Sequence, residues 1–377
     1  MRRRTLLATV GAGLATGCSE SIPLLDPDDT PSETDNTPPG PGTPPESPPT
    51  ETVEPTATDV EPTEEPTGTE TPNQAERRGA EVIGNARDRL GDAYDAYVGF
   101  ADDSGGRGED GTATLLDVTV ATDVTFSRVT GPVSEARRTL EELPRRASGE
   151  QYEASRRLRG VTTVLDQGIR FQDDIRSAHE EFEFVLGRIY ADNTGTVPNA
   201  LGRMRTARSA AAEHLDAIES ESAVEDADAF DQFDTSTYEA KVDQFRRAVS
   251  AFEALPDALA GVKRGLDGFR GAARSYRSEQ YLSAEREFET VGDELRVASD
   301  ALADVQAPGP MTDAVSDLAG VTDALALAAV DFETAADTGS RGERNARETA
   351  LADAKAHLRE SDVAVERLDV VQRLLRE

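Results

Sequence analysis

The sequence predicts an all-α protein: an antiparallel helical bundle or short helix-hairpin array over residues 74–377, preceded by a disordered stalk. Three observations predict it. From about Gln74 onward, apolar residues recur at spacings of three and four, the period of one helix face. Proline and glycine breaks fall between those periodic stretches and divide them into about seven or eight helices. Ala, Leu, Arg, Glu and Asp dominate the same region, and it has no tryptophan.

The first element in the chain is MRRRTLLATVGAGLATGC, residues 1–18. Arg2, Arg3 and Arg4 precede an apolar run from Leu6 to Ala15. A run of about ten residues is the length of an export-signal core and about half of what a spanning helix needs. Arg3-Arg4-Thr5-Leu6-Leu7 resembles the RRxΦΦ core of twin-arginine signals, and Leu14-Ala15-Thr16-Gly17-Cys18 resembles a lipobox. The second likeness departs at one place, since Ala15 stands where leucine is usual. Together the resemblances imply export of a folded chain and a lipid on Cys18 at the new N-terminus. The membrane is then a partner through that lipid, and the expected location is the extracellular face of the cell membrane. The alternative is a cleaved signal with an incidental buried thiol. Cys18 is the only cysteine, so no disulfide accounts for it. Stable anchoring takes two lipid chains or a second signal, each buried CH2 contributing about 0.8 kcal/mol.

Residues 19–73 are rich in Pro, Thr, Glu, Asp and Gly, and Ile22, Leu24 and Leu25 are nearly their only apolar side chains. Such a segment cannot bury a core and is expected to be a disordered linker. In polyproline II geometry its reach is roughly 170 Å, at about 3.1 Å per residue.

Helix stripes follow. Ile83, Ala86, Leu90, Tyr94 and Tyr97 form the first. Leu158 to Ile189 forms a long proline-free one, and Arg203–Ile218, Tyr238–Leu255 and Glu343–Leu375 continue the pattern. Breaks are expected at Asp103–Gly111, Pro144, Asn193–Pro198, Pro256, Pro308–Pro310 and Asp337–Gly342. Leu115 to Phe126 alternates and is β-branched, but a lone strand among helices has no partner. It is expected to form an irregular lead-in to the helix that holds Phe126 and Val129.

The chain also echoes itself. Phe126, Val129, Val133, Ala136 and Leu140 are matched in spacing by Phe288, Val291, Leu295, Ala298 and Leu302. Downstream, Gly160-Val161-Thr162 with Leu165 is matched by Gly320-Val321-Thr322 with Leu325. Two motifs in one order suggest a duplicated unit over about 113–192 and 275–357. Tyr281, Ala284, Phe288 and Val291 resemble the second helix of a tetratricopeptide repeat, with Gly271 and Tyr276 loosely where the first would lie. The 34-residue period is not sustained. The likeness implies helix-pair packing and, by analogy alone, a protein-interaction surface.

Charge bounds the partners. The chain carries 73 acidic and 40 basic residues, a formal net charge of −33, and its only lysines are Lys241, Lys263 and Lys355. Self-repulsion of this size is screened in molar salt, where the Debye length is about 3 Å. The balance resembles proteins of extreme halophiles and, with the signal, implies an archaeal cell-surface lipoprotein. Nucleic acid is an unsuitable partner for such a surface.

No catalytic set emerges. His179-Glu180-Glu181-Phe182-Glu183 departs from the zinc-protease pattern HExxH at its last position. Arg176, Ala211 and Ala354 occupy the position three before His179, His214 and His357, where a di-iron helix needs Glu. The acidic runs Asp102, Asp103, Glu109, Asp110 and Glu225, Asp226, Asp228, Asp231, Asp234 lack EF-hand spacing. The expectation is a non-catalytic interaction or structural module with no cofactor and no metal, and with a protein partner at the cell surface. Its expected groove is lined by Phe269, Tyr276, Tyr281 and Phe288, whose alternative use is to fill the core. The rival readings are a solute- or metal-ion-binding lipoprotein serving a transporter and, behind it, an envelope hydrolase.

Overall fold

Capping chemistry sets the helix ends. The computed structural model describes residues 72–103, 113–360 and Leu368. Arg3, Arg4, Leu6, Leu7, Cys18, the expected linker, Glu109, Asp110 and most of 361–377 lie outside the described residues. Eight α-helices follow one another among the described residues: α1 Pro72–Asp103, α2 Phe126–Glu141, α3 Gly149–Tyr190, α4 Val197–Glu221, α5 Thr235–Arg277, α6 Tyr281–Ala303, α7 Thr312–Ser340 and α8 Arg344–Glu360. No strand occurs among them. Each helix packs on its chain neighbours, and the three-residue connections at 278–280 and 341–343 make α5–α6 and α7–α8 antiparallel hairpins.

Two kinds of cap recur. Ser148 starts α3 with a capping box, its hydroxyl accepting from Gln151 N at 3.2 Å while Gln151 Oε1 accepts from Ser148 N at 3.0 Å. Asp234 starts α5 by accepting from Thr237 N at 2.7 Å. At the other ends, α3, α5 and α7 all close on Schellman motifs with a left-handed residue at Asp192, Glu279 and Gly342. In α5 this means Glu279 N donating to Tyr276 O and Gln280 N to Ser275 O, both at 3.0 Å. Only one of the three is glycine, so the turn at Glu279 was not visible as a break. Asp192 is held in its left-handed conformation by an ion pair with Arg270 at 2.5 Å.

Pro256 overturns one expectation. It lies inside α5, which continues for 43 residues to Arg277. A proline within a helix costs about 3 kcal/mol. Here Phe252, Leu255 and Leu259 are fully buried around it, and their packing outweighs the lost hydrogen bond. A repeat that fits two helices into 34 residues cannot contain this one, so the tetratricopeptide likeness describes a packed face and not a repeat array.

Both copies of the internal echo lie on inward faces. Val129, Val133, Ala136 and Leu140 of α2 are buried, and so are Val291, Leu295, Ala298 and Leu302 of α6. In the helix that follows each, the threonine hydroxyl bonds back four residues: Thr162 to Leu158 O at 2.8 Å and Thr322 to Leu318 O at 2.7 Å. The α6 side chains enter notches in α5. A Cβ at Gly268 would stand 2.6 Å from Val291 Cγ2, and one at Gly265 would overlap Leu295.

The alternating stretch forms no strand, yet its alternation is used. Val118, Val120, Thr122 and Val124 are buried, while Ala121 and Asp123 face water. Side chains of α3 and α5 take the place of a partner strand. Lys241 Nζ donates to Leu115 O at 2.9 Å, Val118 O at 2.7 Å and Gln244 Oε1 at 2.7 Å. Gln244 Nε2 reaches Leu116 O at 3.0 Å, and Gln172 Nε2 donates to Thr119 O. Lys241 is 1% exposed and lies 4.9 Å from the Phe245 ring centroid. Its three donors match three acceptors.

Two predictions follow from this packing. Gly265→Val should destabilise the fold by about 1–3 kcal/mol through overpacking, whereas Gly84→Ala, with nothing nearby, should stabilise α1 by up to about 1 kcal/mol. Thermal melts of both variants check the contrast. Burial also pushes the Lys241 pKa down to about 7, with Asp117 opposing. The unfolded amine titrates near 10.4, so between these values the unfolded chain holds the extra proton and stability rises with pH. Urea unfolding at pH 6, 7.5 and 9 should show the rise. Lys241→Met should flatten it and lower stability, by about 1–3 kcal/mol at pH 6 and by a widening margin up to pH 9, because it orphans the acceptors Lys241 holds. A slope that survives in the variant belongs to another group.

Candidate functional site

The turn closed by Glu279 sets Tyr276, in the last turn of α5, beside Tyr281, the first residue of α6. Their rings meet edge to face with centroids 5.4 Å apart. Tyr281 can lie flat against α7 because Gly339 has no side chain, and a Cβ there would come within 3.0 Å of the ring. From α8, Arg347 Nη1 donates to Tyr281 Oη at 2.9 Å. These elements enclose a cleft of about 450 Å³ between the end of α5, the start of α6, α7 and α8.

Phe288 and Phe332 form its floor, stacked with centroids 5.2 Å apart and rings 17° from parallel. Both are almost fully buried. Three of the four expected groove residues, Tyr276, Tyr281 and Phe288, line this cleft. Phe269 does not. It is fully buried, edge-on to Phe288 at 5.5 Å and to Phe332 at 5.8 Å, and supports the floor from the core.

Sequence reasoning missed Phe332 and the contribution of α8. Arg347, Leu351 and Lys355 follow one another at intervals of four, which places them along one face of α8, and all three border the cleft. Arg277 and Glu279 stand at the rim, and Glu348 beside them is paired with Arg344 at 3.0 Å. Lys355 makes no hydrogen bond or ion pair with any described residue. The signal that could have found this wall is the rarity of lysine, one of three in the chain.

Tyr276 carries the cleft's unused bond. Its hydroxyl is shielded from solvent and has no hydrogen-bond partner among the described residues. Burial raises its pKa, with Arg347 opposing and Tyr281 adding to the shift. An unpaired shielded hydroxyl costs about 1–3 kcal/mol.

Other candidates are already satisfied. A broader depression of about 940 Å³ lies between α5 and α6, where Ser275 and Ser283 both donate to Glu287, at 2.8 and 3.0 Å. Asp226 is buried as the cap of a short turn, accepting from Ala223 N at 2.9 Å, and Gly160 of α3 leaves room for its carboxylate. Asp226 and Asp234 are thus spent on helix starts. His179 is buried, which lowers its pKa. His214 pairs with Gln167 at 2.7 Å and Asp174 at 3.3 Å, and His357 with Asp331 at 2.7 Å. Among the described residues no three His, Cys, Asp or Glu side chains gather as a metal site.

No family model, curated protein or solved structure matches this chain.

The unpaired hydroxyl gives a direct test. Tyr276→Phe should leave stability unchanged or raise it by up to about 3 kcal/mol, since it removes only a group without a partner. Chemical unfolding measures this, and a loss of stability would mean that the hydroxyl already serves the fold.

Proposed function

We propose that this protein is a surface-anchored lipoprotein whose helical domain is a non-catalytic protein-interaction module. The observation that carries the reading is the cleft walled by α8. It brings together an aromatic floor, the arginine of α8 and a lysine unpaired among the described residues, in a chain of net charge −33. Interaction surfaces use aromatic and arginine side chains in this way. The sequence supports the anchoring: the twin-arginine-like Arg3-Arg4-Thr5-Leu6-Leu7 and the lipobox-like run before Cys18. None of the described helices is long and apolar enough to cross a membrane.

The halophilic and archaeal assignment belongs to the same proposal, and one surface ladder supports it. Glu285, Glu289 and Asp293 of α6 face Glu333 and Asp337 of α7. Burial first, and these neighbours after it, raise the pKa of Glu333. Such a ladder is tolerable where salt screens it. A second reading, a solute-binding lipoprotein serving a transporter, is favoured by the volume of the cleft, which falls within the range of small-ligand pockets.

Two measurements test the proposal. Mass spectrometry of the mature terminus should find a two-chain lipid on Cys18, and Cys18→Ser should release the protein from the membrane fraction. An unmodified thiol would end the anchoring claim. Crosslinking on intact cells through a photoreactive group at the exposed Leu282, which follows Tyr281 in α6, should capture a surface protein. Capture of none would favour the solute-binding reading instead.

A further inference from the structure

The wall formed by α8 has a spacing that specifies what lies against it. Arg347, Leu351 and Lys355 are each four residues apart, so their Cα atoms advance by about 6 Å per step along the helix axis. The row reads cation, apolar, cation. In an extended chain, alternate residues share a face and advance by about 6.6 Å per pair. A segment with an acidic residue, an apolar residue two later and a second acidic residue two after that matches the row in register and in charge.

The rest of the cleft fits that occupant. Leu351 adjoins the Phe288–Phe332 floor, which would receive the apolar side chain. Arg347 holds Tyr281 Oη through Nη1 alone, leaving further guanidinium donors for a carboxylate. Lys355 brings a cation with no described partner. The Tyr276 ring, edge to face with Tyr281, borders the same cleft beside Arg347. Two carboxylates also stand at the cleft. Glu348 is committed to Arg344, and Glu279 projects from the turn at the rim.

Resting on the interaction reading above, we propose that the cleft binds an extended acidic segment of its protein partner, with the pattern acid–x–apolar–x–acid, laid along α8. Arg347 and Lys355 take the two carboxylates, and the apolar side chain lies beside Leu351 against the Phe288–Phe332 floor. Discrimination is electrostatic: a basic segment of the same shape meets two cations, whereas the acidic one relieves their isolation.

Fluorescence anisotropy of the full chain tests this, in KCl at a concentration where the helical circular dichroism is fully developed. The probe is a short fluorescein-labelled peptide with two glutamates flanking a leucine at alternate positions. Binding should weaken about tenfold in Arg347→Gln and in Lys355→Gln, and about tenfold again when both are changed. Serine in place of the peptide leucine should weaken it similarly, and lysines in place of the glutamates should abolish it. Both replaced side chains are at least partly exposed, and circular dichroism of each variant checks that the fold is retained. Unchanged affinity in the double variant, equal binding of the lysine peptide, or no binding of the glutamate peptide overturns the proposal. Cell-surface crosslinking by the double variant separates the two levels. Partner capture equal to wild type rejects the acidic segment but keeps an interaction module, whereas no capture by the wild type rejects the module.

Discussion

A single buried ammonium joins parts of this protein that the helix-hairpin plan alone would leave apart. Lys241 belongs to the first turns of α5, and the carbonyls it binds, Leu115 O and Val118 O, belong to the segment that leads into α2. That segment has strand-like chemistry and no strand beside it, so its backbone needs acceptors and donors from elsewhere. Lys241, Gln244 and Gln172 supply donors from two long helices. Around the ammonium lie Tyr97 of α1 and Phe245 of α5, whose rings return part of the solvation lost on burial. Tyr97 in turn donates to Gly168 O of α3 at 2.8 Å. Two helices and one irregular segment therefore meet at one side chain, and Tyr97 ties a third helix to them.

A second polar junction works by the same logic. Asp267 of α5 accepts from Lys263 at 2.6 Å, Arg270 at 2.8 Å and Thr194 at 2.9 Å. Arg270 also pairs with Asp192 in the turn that ends α3. Direct bonds from α5 thus fix the α3–α4 connection, and they compensate a left-handed aspartate that local sterics disfavour. The other ion pairs among the described residues divide between pairs three or four residues apart on one helix and pairs that join different elements, such as Arg205–Asp257 and Arg246–Glu219. Where both partners are exposed, each contributes little.

How legible this was in the sequence depended on whether a feature was local. The period of apolar residues is local, and the helices of α3, α4 and α6 were accordingly readable, as was the strand-like lead-in that forms no strand. Glycine and proline are local as well, and Gly342 and Pro308–Pro310 marked true ends. Pro256 misled because its effect depends on what surrounds it, and here buried Phe252, Leu255 and Leu259 outweigh it. Glu279 was silent because its left-handed backbone is imposed by the Schellman closure and not by its side chain. The aromatics showed the same limit. Spacing alone set Phe269 and Tyr276 on one stripe, but only packing reveals that the first supports the core and the second borders open space.

Lysine usage sorts the positive charges by their surroundings more sharply than any motif did. In so acidic a chain, arginine supplies nearly all the positive charge, and each of three lysines occupies a distinct setting. Lys241 is consumed by three oxygens in the core, and Lys263 is consumed by Asp267 at the second junction. Their positions follow from what holds the fold together. Lys355 answers to neither need: it stands beside an apolar floor, two turns along α8 from Arg347, and binds no described residue. Among the described residues it binds no carboxylate, so no bond within the described fold accounts for its position. With Arg347 it sets two cations along one face of α8 beside the aromatic floor. That pairing supports an anionic occupant more strongly than either cation would alone.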